Sequence, residues 1–230
     1  MPIPHPVQLI LFDIDGTLLW PKGAGRTSTR LAMQEVFGEV GQIESHYFGG
    51  KTDWSTLLDL LGGYFPPEEI ERRMPDYQQA AARHLSAVIG NFPVQPCPAA
   101  HDTVAETRRR GLLAGIVTGN VQATAPIKLR TAGFDPDWFP VGAYGSEHPD
   151  RNRLPALALE RAERHLGRRI APQEVVVVGD TAADVACARA LGAIAVAVRT
   201  GYATAPGELD AAAPDYLLDD LSSFYGAVIA

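Results

Sequence analysis

The sequence has little cysteine, no excess of positive charge and no long apolar run, and each shortage excludes something. Its 2 cysteines, Cys97 and Cys187, stand far apart in a chain of 230 residues. That is too few for a disulfide scaffold and the wrong spacing for a zinc site, so both read as reduced, buried thiols. The longest apolar stretch near the start, Val7 to Phe12, is far too short for a membrane span or for the apolar centre of a signal peptide. No positive flank precedes it in Met1-Pro-Ile-Pro-His-Pro. A cytoplasmic protein is expected. Lys and Arg total 20 against 27 Asp and Glu, a net charge of −7. Nucleic-acid and anionic-membrane surfaces need clustered positive charge, so neither partner is expected. A small anionic molecule held in a local pocket is not excluded. Monomer and homodimer both stay open.

What is present is an alternation. Apolar residues make up 46% and charged ones 20%, the balance of a globular chain. Short apolar runs at Val7–Phe12, Leu112–Val117, Val175–Val178 and Ala193–Val198 read as strands buried on both faces of a parallel sheet. Weaker runs at Phe139–Ala143 and Asp215–Leu218 read as edge strands. Helix-period stretches lie between them: Ala125, Leu129 and Ala132, closed by Gly133; Leu154 to Leu166, closed by Gly167; Asp184 to Leu191, closed by Gly192. Only the segment from Gly23 to about Asn91 breaks the alternation, with helix patterns alone. There Thr52 or Asp53 caps a helix carrying Trp54, Leu57, Leu58 and Leu61, and Pro66-Pro67-Glu68-Glu69 starts another that Pro75 should kink or split. The expectation is an α/β fold: a Rossmann-like parallel sheet core flanked by helices, residues 1–20 and 92–230, interrupted by an inserted all-helical cap domain, residues 21–91.

Chemistry collects at the strand ends. Asp13 and Asp15 close the first strand, and alternation along a strand points both carboxylates the same way. Neighbouring carboxylates need a cation, a shared proton, or both, and Mg²⁺ suits oxygen ligands beside a phosphate. Gly16 lets the backbone approach an anion. A surface Asp-Gly turn would read the same way in isolation. Val175 to Val178 ends in Gly179-Asp180, with Asp184 four residues on; a helix capped by Asp180 or Thr181, with Asp184 in its first turn, is an equal alternative in isolation. The run ending at Val117 is followed by Thr118-Gly119-Asn120, whose hydroxyl and amides suit a phosphate oxygen or a helix cap.

Strand ends carrying Asp-x-Asp, Thr-Gly-Asn and Gly-Asp, in that order, resemble the haloacid dehalogenase-like superfamily. The likeness is to its phosphatases with a helical cap after the first strand, above all the phosphoglycolate-phosphatase-like branch. It spans nearly the whole chain and includes Gly50-Lys51-Thr52-Asp53, Val198-Arg-Thr-Gly201 and Ala213-Pro-Asp215. The resemblance implies Asp13 as nucleophile, Asp15 as general acid and base, and Thr118, with Gly16, Gly119 and Asn120, holding the phosphoryl group. It implies Mg²⁺ on Asp13, the Asp15 carbonyl and Asp180, with Asp184 orienting them. The family's usual lysine before the Gly-Asp strand is missing; the segment reads His148-Pro-Asp-Arg151-Asn-Arg153. Arg151 is preferred over Arg153 as its replacement, with His148 a weaker candidate. In the cap, Arg26, Lys51 and Asp53 are candidates for reading the leaving group. Lys128 is taken as solvent-facing, Arg108 to Arg110 as a helix end, and Trp54 and Trp138 as packing. The implied activity is Mg²⁺-dependent hydrolysis of a small phosphorylated metabolite through an aspartyl-phosphate. Alternatives are a phosphomutase, and more remotely a dehalogenase, a phosphonatase or a receiver-like phosphorylated module.

Overall fold

The computed structural model describes residue 3 and residues 6–202 and 204–229. Met1, Pro2, Pro4 and His5, most of the stretch read as lacking a positive flank, lie outside the described residues. Among the described residues eight strands and nine α-helices follow one another: β1 (Leu9–Phe12), β2 (Leu19–Trp20), α1 (Ala24–Phe37), α2 (Asp53–Leu61), α3 (Pro67–Val88), β3 (Gln95–Pro96), α4 (Ala100–Arg109), β4 (Leu113–Thr118), α5 (Ala125–Thr131), β5 (Val141–Tyr144), α6 (Leu154–Leu166), β6 (Val175–Gly179), α7 (Ala182–Leu191), β7 (Ile194–Val198), α8 (Glu208–Ala212), β8 (Tyr216–Leu218) and α9 (Phe224–Ala227).

Six strands form one sheet in the order β5-β4-β1-β6-β7-β8, every pair parallel. Residues alternate between its faces. Ile10 and Phe12 pack with Val176, Val178 and the helices α4, α5 and α9, while Leu9 and Leu11 pack with Val175, Val177, α6, α7 and α8. Helices on both faces explain why the strands read as continuous apolar runs. Both cysteines are free and buried, one on each side of the sheet.

The chain leaves the sheet after β1 and returns before α4 through the antiparallel pair β2–β3. At two residues each, these strands are too short to show in the sequence. Between them α1, α2 and α3 build an all-helical insert with its own apolar centre of Met33, Leu57, Leu61, Ile70 and Tyr77. Val121, from the loop after β4, completes that centre. Thr52, not Asp53, caps α2, in a reciprocal box with Ser55. Pro75 does not split its helix: α3 runs unbroken through it. The missing N–H is offset by packing, since Ile70, Met74, Tyr77 and Ala81 bury one continuous face against the rest of the insert. Among the described residues no helix is long and apolar enough to cross a membrane.

Candidate active site

Parallel register sets the ends of the central strands side by side, Phe12 against Ile116 and Val178. Asp13 follows immediately, its N–H donating to the Val178 carbonyl. The backbone then turns at Gly16, whose φ of 90° is a conformation glycine adopts without strain. A Cβ there would lie 2.3 Å from Asp180 Oδ2, and one on Gly201 would lie 2.1 Å from the same oxygen. The Asp180 carboxylate therefore sits between two glycine faces, and Thr17 Oγ1 donates to its other oxygen at 3.1 Å. Thr181 caps α7 and donates to Asp184 Oδ2 from both its N–H, at 3.0 Å, and its hydroxyl, at 2.7 Å. Capping thus aims Asp184 inward instead of exhausting its role.

Asp13, Asp180 and Asp184 are all buried and bring one oxygen each within 4.8 Å of the others. Burial pushes the Asp13 carboxyl up to about 7; Arg151 opposes the rise and Asp184 and Asp15 add to it. Burial, then Asp184 and Asp13, push Asp180 well above the usual carboxylate range. Arg151 is the cation among them, with Nη2 2.5 Å from Asp184 Oδ1 and 3.2 Å from Asp13 Oδ1. Burial alone would lower its pKa, but Asp184 and Asp13 carry it upward, so the guanidinium stays charged.

Against the cost of burial, one arginine cannot keep all three acids ionised without further positive charge, which is why Asp13 and Asp180 hold their protons more tightly. Asp13 Oδ1 is buried and, beyond its ion pair with Arg151, accepts no hydrogen bond. An all-carboxylate donor set with such an oxygen fits a hard divalent cation. Arg151 Nε is likewise buried and without an acceptor, a donor available to a phosphate oxygen.

Two residues along, Asp15 is treated differently. Its Oδ2 accepts from Lys128 Nζ at 2.5 Å and from Asn120 Nδ2 at 3.1 Å. Lys128 is not solvent-facing: its side chain is 2% exposed. It shares the inner face of α5 with Ala125 and Leu129, and its charge is matched by Asp15. Asn120 also donates to Thr118 Oγ1 at 2.8 Å, and the Thr118 hydroxyl in turn hydrogen-bonds Asp13.

The insert closes down on this loop. Asp53 N–H donates to the Gly119 carbonyl at 2.7 Å, and its carboxylate accepts from Val121 N–H at 2.8 Å. Burial pushes the Asp53 carboxyl up to about 6, against the pull of that N–H and of Lys128. A Cβ on Gly119 would stand 2.0 Å from the Lys51 carbonyl oxygen, so only glycine fits the closure. The cleft beneath has a volume of about 110 Å³ and is lined by Asp13, Thr118, Arg151, Asp180, Phe48 and Tyr202 among others. A second cavity of about 160 Å³ adjoins it across Asp15, Asp53 and Asn120 and reaches Ser28, Thr29 and Lys128.

Of the remaining candidates, Arg153 is exposed and is not part of the cleft wall. It follows Arg151 in a single tight turn, which turns one side chain inward and the other out. His148 sits on its own loop, bonded to the Asp150 backbone. Arg26 lines the second cavity, but its guanidinium donates to the Ile43 and His46 carbonyls and lies over the Phe48 ring. Lys51 lines the cleft with its Nζ on Asp59. Thr17, Phe48, Lys128 and Tyr202 were not singled out for the site from sequence. Of these, Lys128 alone left a trace, as a charge on a face otherwise apolar.

The profile of the haloacid dehalogenase-like hydrolases matches residues 7–192. A phosphoglycolate phosphatase of Synechococcus elongatus is 30% identical over 226 residues, 96% of this chain and 97% of that protein. One of Neisseria meningitidis is 26% identical, covering 95% and 92%. A haloacid dehalogenase-like hydrolase structure from Bacteroides fragilis superposes with a TM-score of 0.70 at 22% identity, over 95% of this chain and 99% of that one, which shows the shared fold. With the family profile spanning residues 7–192, the chain belongs to the haloacid dehalogenase-like hydrolases.

Proposed function

We propose that the protein hydrolyses a small phosphomonoester through an aspartyl-phosphate on Asp13. The observation that carries this reading is the buried group of Asp13, Asp180 and Arg151 lining one cleft at the sheet's carboxyl edge, with Asp184 paired to Arg151 behind them. An Asp13 oxygen bonds to phosphorus as the ester P–O bond breaks, and Asp15 gives its proton to the departing alkoxide. Asp15 then takes a proton from the water that attacks phosphorus and frees Asp13. Arg151 and the Thr118 hydroxyl hold phosphoryl oxygens, with the Gly16, Gly119 and Asn120 amides in support. Asp13, the Asp15 carbonyl and Asp180 would hold Mg²⁺, with Asp184 keeping Asp180 and Arg151 in place; that cation would supply the positive charge that lets an anionic nucleophile approach a phosphate.

The insert forms the roof over the leaving group, and Lys51, Asp53 and Arg26 shape it. The names of the relatives make phosphoglycolate the first substrate to try, with sugar phosphates next. Purified protein should release phosphate from an aryl phosphate and from phosphoglycolate with Mg²⁺, and EDTA should stop it. A folded, Mg²⁺-loaded protein inactive on a broad panel of phosphate esters would overturn the reading.

A further inference from the structure

The acid cluster has a chemical use in the proposed reaction, but Lys128 has none yet. It is the one lysine that lines the cavity beside Asp15, and nothing in the sequence marks it for catalysis. Its side chain is 2% exposed, and its ammonium reaches two acceptors at 2.5 Å, Asp15 Oδ2 and Asn120 Oδ1. Asn120 Nδ2 returns to the same Asp15 oxygen at 3.1 Å. The three side chains therefore close a ring in which each is bonded to the other two. Asp15 Oδ1 is buried with no partner, so the ring is the only polar anchorage the carboxyl has among the described residues.

The ring has a rigid base. Asn120 is also tied to Thr118, and Lys128 rides on α5, whose Ala125 and Leu129 sit in the sheet's core. Gly25, in the first turn of α1, has no side chain, and a Cβ there would lie 3.2 Å from Lys128 Nζ. The insert thus leaves space for the ammonium and roofs it over.

We infer that Lys128 is a positioning residue for the general acid, fixing the Asp15 carboxyl over the ester oxygen without itself touching the reacting atoms. This rests on the proposed phosphatase reaction. It sharpens that proposal, because a proton donor helps only if it is aimed: a carboxyl free to rotate about χ1 and χ2 loses the orientation on which efficient proton transfer depends.

The consequence depends on the leaving group. An aryl phosphate departs as a stable phenolate and needs little protonation, whereas a simple alkyl phosphate needs its proton from Asp15. The test is kcat/KM, which reports only the steps through departure of the alcohol, measured for Lys128→Met and wild type along a series of aryl and unsubstituted alkyl phosphates. The loss should grow with leaving-group basicity, from a few-fold at the aryl end to roughly 100-fold at the alkyl end. Parallel lines for the two proteins, whatever their separation, or no loss at all, would overturn the inference. Circular dichroism and thermal unfolding establish that the variant is folded. Should Met at this buried position prevent folding, Lys128→Gln is read along the same series by the same criterion. Wild type inactive on every ester would sink the phosphatase reading itself, a result separate from either slope.

Discussion

Asp13 and Asp15 leave the same strand end, two residues apart, and enter opposite electrostatic surroundings. Around Asp13 three buried acids face one arginine, and the carboxyl is pushed up to about 7 by burial ahead of its acidic neighbours. Around Asp15 the charges are matched, a lysine to a carboxylate, with an asparagine closing the ring. An unbalanced pocket is a poor way to stabilise a fold, because each buried charge costs more than its neighbours return. It is a good way to bind a cation and an anion together. A balanced ring binds nothing strongly but holds geometry. On the proposed reading the first region serves ligands and the second serves aim.

The largest test of the contrast is Asp13→Asn. Turnover should fall by at least about 10⁴-fold, since in the proposed reaction no other group forms the phosphoryl bond. Unlike loss of an ordinary buried carboxylate, the change should raise the melting temperature of the EDTA-treated protein, because it removes one repelling charge. A lower melting temperature without metal would show that the acid cluster is balanced after all, and the comparison would fail.

Arg151→Met asks the converse question, deleting the lone cation and keeping the acids. Leaving buried charge without its partner typically costs 3–5 kcal/mol, so EDTA-treated variant should lose roughly 3 kcal/mol in denaturant unfolding. Mg²⁺ should restore part of that stability, while phosphate release stays at least about 100-fold down. If Mg²⁺ restores nothing, Asp13, Asp180 and Asp184 do not form a cation site.

How much of this the sequence discloses follows the same division. The continuous apolar strands, their order of acidic ends and the helical insert are all legible, because burial on both faces and the two side-chain periods leave direct marks. Pairing is not. Arg151 and Arg153 have equal claims by spacing, and only the turn after Asp150, whose carboxylate accepts from Asn152 N–H at 3.0 Å, decides which one faces α7. A solvent-facing Lys128 is the ordinary expectation, because lysine usually is exposed. Its place three residues after Ala125 and one before Leu129 carried the opposite message, but naming its partner needs the loop after β4 folded back. Arg26 has the residue type of an anion binder, yet it spends its donors on the carbonyls of Ile43 and His46, a loop conformation no periodicity encodes.

A smaller effect probes the glycine walls of the unbalanced side. Gly201→Ala puts a methyl 2.1 Å from Asp180 Oδ2 where the backbone itself would accept alanine. The carboxylate must shift. Half-saturation by Mg²⁺ should move to roughly 10-fold higher concentration, the scale seen when ligand-supporting groups are disturbed, with little change in kcat at saturating metal. An unchanged Mg²⁺ requirement would mean that Asp180 is not a metal ligand.

The smallest effect belongs to Asp53, the acid where the insert meets the balanced side. Burial raises its carboxyl from 3.8 to about 6, with Val121 N–H and Lys128 opposing. A folded-state value above the unfolded one means that the folded protein holds this proton more tightly. Its favourable contribution is therefore complete below about pH 3.8 and fades as the pH climbs through about 6. Asp53→Asn keeps an oxygen for the Val121 N–H and removes the charge. The variant should lose this share of the pH dependence between about pH 4 and pH 6, and near neutral pH it should be the more stable by on the order of 1 kcal/mol. In a chain this long that corresponds to roughly 2–4 °C in melting temperature. Near-wild-type activity would place Asp53 with the residues that hold the roof in position. A loss confined to substrates with a charged or hydroxylated leaving group would place it among those that read the alcohol, and the boundary between the ligand-binding and the aiming region would then run through Asp53.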